Sequence, residues 1–91
     1  MFYLDPGLYV SSGLKKKKME LCEALMKGRP GAGLYIIYKN ENSGKPEFTR
    51  GIFLRQSYYS KRRVHVLGLA EDYDEALEYL AYSAAEAAGV F

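Results

Sequence analysis

Two short stretches carry the side chains best suited to binding chemistry. Lys15, Lys16, Lys17 and Lys18 form an unbroken run, and Tyr58 and Tyr59 come just before Lys61, Arg62 and Arg63. Basic side chains neutralise phosphate, and aromatic rings beside them can stack on bases, so the second cluster has the composition of a nucleic-acid contact. Each stretch also has a plainer reading, as a solvated helix face for the lysines and as a charged loop between strands for the other cluster. Four lysines in a first helical turn oppose one another and the macrodipole, at roughly a few tenths of a kcal/mol each. Glu20, three and four residues beyond Lys17 and Lys16, offers partial relief.

Residue types needed for catalysis are scarce. His65 is the one histidine and Cys22 the one cysteine, too few for a zinc site of ordinary composition. The acids gather near the C-terminus, so no Ser–His–Asp arrangement stands out. Asp72, Asp74 and Glu75 could ligate a hard cation, but an acidic helix start is ordinary capping chemistry. The Gly-rich stretch 28–33 leaves a helix and enters a strand, the reverse of a phosphate loop. The chain therefore reads as non-enzymatic, with no catalytic residue, no metal and no cofactor.

Charge is unevenly distributed. Residues 1–63 hold all thirteen Lys and Arg against five acids, a balance of +8, while residues 64–91 hold six acids and no Lys or Arg. The overall charge of +2 conceals this bipolarity, which bears on partners more than on fold. Nine Tyr and no Trp exceed what a small core needs to bury, so some of the tyrosines are expected to be contact residues. A lone cysteine excludes an internal disulfide and suits a reducing cytoplasm. No apolar run reaches the roughly 20 residues of a membrane span, and the N-terminus lacks the pattern of a secretion signal. The expected location is cytoplasmic, without membrane contact.

The elements that position these residues follow from periodicity and turn chemistry. With 91 residues, the chain is expected to form one domain, 1–91. Residues 2–4 and 8–10 are β-prone pieces separated by Asp5-Pro6-Gly7, a turn signal, and could form an arm or edge strand. Ser11 or Ser12 can cap a helix running to about Lys27, with Gly28 at its end. Strands are expected over 34–39, 47–55 and 64–69, the first two joined by a hairpin loop at 40–46. Asp72 with Glu75 three residues on has capping-box spacing for a last helix. Tyr73, Leu77, Leu80, Ala84 and Ala87 supply that helix with an apolar stripe. The fold class is α+β in the order α-β-β-β-α, a three-stranded antiparallel sheet with two helices on one face, to which residues 1–10 could add an arm or a short edge strand.

Two resemblances add to this. The order α-β-β-β-α is similar to that of double-stranded-RNA-binding domains. Lys45-Pro46-Glu47-Phe48-Thr49 resembles that family's first hairpin and second strand, and Glu75-Ala76 with the late alanines resembles its last helix. The resemblance implies that fold and RNA binding, although the family holds phosphate with lysines where this chain has Asp72, Asp74 and Glu75. The series Q-x-Y-Y-x-K (56–61), V-x-G-x-A (66–70) and Y-x-E-A-L (73–77) looks like that of a set of small uncharacterised bacterial proteins, over about residues 19–80. That likeness implies a free-standing small protein and no particular activity.

The expected function is an interaction module that self-associates through a tyrosine-rich open sheet face, its partner a second copy or another protein. The alternative is nucleic-acid binding through Lys15, Lys16, Lys17 and Lys18 together with Tyr58, Tyr59, Lys61, Arg62 and Arg63.

Overall fold

The segment Val-His-Val-Leu-Gly-Leu-Ala is apolar on nearly every position, which suits a strand with neighbours on both edges and cover on both faces. It occupies such a place. In a computed structural model describing residues 2–29, 31, 33–55 and 63–87, the elements are β1 (Phe2–Val10), a 3-10 helix (Ser12–Lys17), α1 (Lys18–Met26), β2 (Tyr35–Lys39), β3 (Pro46–Arg50), a second 3-10 helix (Gly51–Arg55), β4 (Val64–Ala70) and α2 (Tyr73–Ala87). The sheet order is β1-β4-β2-β3. β4 runs parallel to β1 and antiparallel to β2, and β2 pairs antiparallel with β3.

The α+β class and the order of helices and strands agree with the sequence reading; the strand count and pairing differ. Four strands are present rather than three, and the sheet is mixed rather than purely antiparallel. Asp5-Pro6-Gly7 does not reverse the chain. The Asp5 carboxylate accepts a hydrogen bond from the Gly7 N–H at 2.9 Å, and β1 continues past an irregularity in its register between Leu4 and Tyr9. Proline lacks a ladder donor, and an edge strand is where a sheet tolerates it.

The two helices cover opposite faces, not one face as the pattern suggested. Leu14, Leu21 and Leu25 pack with Phe2, Val10, Ile36, Val64, Val66 and Leu69. On the other face Ala76, Tyr79 and Leu80 of α2 pack with Ile37, Ala70, Tyr9, Tyr35 and Phe48. Ile36 and Ile37 are adjacent, point to opposite faces and are both fully buried. A sheet buried on both sides is the physical counterpart of strands with few polar positions.

Local departures have local causes. β3 ends at Arg50; the Gly51 N–H donates to the Leu34 carbonyl at 2.7 Å, and the chain then turns so that Leu54 is buried while Ile52 and Phe53 stay exposed. The first helix begins as a 3-10 turn, since Gly13 and repelling lysines make a weak α-helical start. Ser11 precedes that turn, but its hydroxyl accepts from the Glu71 N–H at 3.1 Å instead of capping the helix. Gly28 takes φ 74°, as expected after a helix end.

The capping expectation for α2 is met, since Asp72 Oδ1 accepts from the Glu75 N–H at 2.9 Å. The buried stripe is turned from the one expected: Ala76 is fully buried, whereas Tyr73 and Leu77 are about half exposed. A helix sits closest to a sheet over its smallest side chain, so Ala76 rather than the large residues sets the contact line. Tyr73 stays at the rim, with its ring edge-on to Phe48 at 5.4 Å.

Candidate functional site

α2 covers one half of its sheet face, over Ala70, Ile37 and Tyr35, and the other half carries polar and aromatic side chains. Tyr3 and His65 are register partners on β1 and β4. Their rings stack with centroids 4.5 Å apart and planes 15° from parallel. Arg63, just before β4, lays its guanidinium 4.3 Å from the centre of the Tyr3 ring. That distance is within cation–π range, so the tyrosine holds the cation in a defined place.

Asp5 completes the group through the β1 irregularity. His65 Nε2 lies 2.8 Å from Asp5 Oδ1, and an Nε2–H tautomer donates there. The Gly7 N–H, followed by the hydrogen bond from His65, holds the Asp5 carboxyl below its ordinary value of 3.8. Asp5 is therefore ionised across the neutral range and keeps the imidazole oriented.

The hairpin loop between β2 and β3 forms the opposite wall. Asn40 organises it, its side-chain oxygen accepting from the Asn42 N–H at 2.8 Å and the Ser43 N–H at 3.1 Å. Gly44 takes φ 71°, a left-handed conformation that glycine adopts without steric cost. Asn40 Nδ2 also donates to Glu47 Oε1 at 3.1 Å, tying the loop to β3. Between loop and strands lies a cleft of about 160 Å³ lined by Tyr3, Lys39, Asn40, Glu41, Gly44, Arg63 and His65. Lys39 and Arg63 are exposed basic side chains beside an aromatic stack.

The residues predicted from sequence divide three ways. Arg63 lies in the cleft. Tyr58, Tyr59, Lys61 and Arg62 fall outside the described residues. Lys15, Lys16, Lys17 and Lys18 are all exposed and follow the far end of β1, where Ser11 bonds the Leu69 carbonyl. Seven residues of β4 separate that end from Arg63, a distance of about 20 Å at 3.3 Å per residue. The two basic clusters are therefore not one surface. The lysines instead share an end of the sheet with the acidic start of α2, where a Cβ at Gly13 would run into the Glu71 carboxylate.

Tyr3, Asp5, Lys39 and His65 had not been expected in the site. His65 was the available signal: an ionisable residue inside an otherwise apolar strand is unusual enough to suggest a partner. Among the described residues, no group of three or more His, Cys, Asp or Glu is arranged to hold a metal ion. No helix among them is long and apolar enough to cross a membrane. In comparisons with protein-family models, curated proteins and solved structures, nothing matches this chain.

Proposed function

We propose that this protein is a non-enzymatic cytoplasmic module that binds single-stranded nucleic acid along the cleft between β1, β4 and the β2–β3 loop. The observation that supports this most is the Arg63 guanidinium seated on Tyr3, itself stacked on His65, with Lys39 in the same cleft. Phosphates contribute affinity through Lys39 and Arg63, and bases stack on exposed parts of the aromatic–guanidinium group. Glu41 also lines the cleft and ionised Asp5 acts on Lys39, so these two acids offset part of the attraction that Lys39 and Arg63 exert on phosphate.

The test is fluorescence anisotropy of a labelled oligo-U or oligo-dT under a salt titration. Binding should weaken as salt rises, with a log–log slope of about −0.7 per phosphate neutralised. Arg63→Ala and Lys39→Ala should each reduce both the affinity and the slope. No binding at about 20 mM salt overturns the proposal, since an electrostatic interface is strongest there.

A second reading, self-association, draws on exposed apolar side chains. Met19 and Met26 lie on one face of α1, spaced i and i+7, and are 78% and 65% exposed. Methionine-bearing helix faces suit protein contacts. Light scattering across a concentration series, compared with Met19→Lys/Met26→Lys, tests it; a monomer at the highest concentration rejects it.

A further inference from the structure

A second groove lies on the same sheet face, between α2 and β1, and its lining differs from the cleft's in holding acids and no cation. It has a volume of about 370 Å³ and is lined by Tyr9, Glu75, Glu78, Tyr79 and Tyr82. The four α2 residues are spaced i, i+3, i+4 and i+7, so a single helix face presents two carboxylates and two rings. Tyr9 of β1 forms the opposite wall, its ring 4.9 Å from that of Tyr79 and tilted by 32°. Residues 64–91 contain no Lys or Arg, so α2 has no cation of its own to offset these acids.

The geometry points to a binding site for a compact organic cation, an alkylammonium or alkylguanidinium group. Three features act together. Tyrosine faces attract cations through the ring quadrupole, carboxylates add direct Coulomb attraction, and Glu75, half-buried unlike exposed Glu78, is the less screened by salt of the two acids. Burial is the main cause that raises the Tyr9 hydroxyl above its ordinary 10.0; Glu75, Glu78 and Asp72 add smaller contributions in the same direction, consistent with acids near this wall. The volume falls at the lower end of small-ligand sites and suits a group of a few heavy atoms. An anion is disfavoured there by Glu75 and Glu78. A neutral apolar group would gain ring contact but nothing from the acids.

The experiment is an NMR titration of the whole chain with choline chloride. It is run against its neutral isostere 3,3-dimethylbutan-1-ol and against sodium chloride at matched ionic strength. The ring resonances of Tyr9, Tyr79 and Tyr82 should shift saturably with choline and bind the alcohol at least about tenfold more weakly. Methylguanidinium, as a second probe, covers a site too narrow for three methyl groups. Glu78→Gln and Tyr82→Leu alter exposed side chains and should each weaken the cation by about three- to tenfold while circular dichroism stays unchanged. The inference is overturned by equal affinity for the alcohol, by unaltered binding in both variants, or by no saturable shift from either cation.

Discussion

Replacing Ile36 and Ile37 by alanine, one at a time, probes the arrangement of the two helices. Both side chains are fully buried, Ile36 beneath α1 and Ile37 beneath α2. Truncation removes three carbons; at about 0.8 kcal/mol per methylene the transfer loss is about 2.4 kcal/mol, before any cavity term. Residual cavity raises such losses toward about 4 kcal/mol in well-packed sites. A domain of this size holds roughly 5–14 kcal/mol in total, so either variant should stay folded but lose a large share. At about 4–8 °C per kcal/mol, Tm should fall by about 10–30 °C in both. Thermal scans followed by far-UV circular dichroism measure the Tm and urea unfolding the free energy, with Met19→Ala as an exposed control expected within about 0.5 kcal/mol of the parent. If both helices shared one face, one of the adjacent isoleucines would lie bare. A loss under about 0.5 kcal/mol at either position would therefore refute two-sided cover.

Other expectations rest on single contacts. A Cβ at Gly68 would lie 3.0 Å from the Tyr9 Cβ and 3.1 Å from its backbone oxygen, so Gly68→Ala should cost about 1–3 kcal/mol in urea unfolding. Gly33 has open space around it, and Gly33→Ala should be neutral or stabilising by up to about 1 kcal/mol in the same assay. The Asp5 carboxyl is held below 3.8, so its contribution is present above that pH and lost as pH falls through the lower folded value. Thermal scans between pH 2 and 6 should accordingly show a shallower acid loss in Asp5→Asn than in the parent. Asp72→Ala removes the acceptor for the Glu75 N–H and should cost about 0.5–2 kcal/mol by urea unfolding.

Much of the fold was legible where local chemistry decides it. Gly28 at a helix end, Asn40 and Gly44 in a hairpin, and Asp72 with Glu75 at a helix start are short-range devices, and each appears where its residues predict. Strand order was not legible, because the pairing of β1 with β4 joins residues about 60 positions apart. The apolar character of β4 on both faces did hold the information that it is an interior strand, and that in turn implied cover on both sides. Asp5-Pro6-Gly7 masked β1, since the same residues that build turns also build edge irregularities. The cleft was half legible. Arg63 was visible as a cation near aromatics, but the ring that holds it is Tyr3, brought alongside by the parallel pairing rather than by proximity in the chain.

Chemical-shift mapping with an isotope-labelled protein and a short oligo-U is the most direct measurement. Binding through the cleft predicts salt-sensitive shifts at Tyr3, Lys39, Arg63 and His65, with Lys15–Lys18, about 20 Å away, little changed. Shifts confined to those four lysines, or none at low salt, would contradict it.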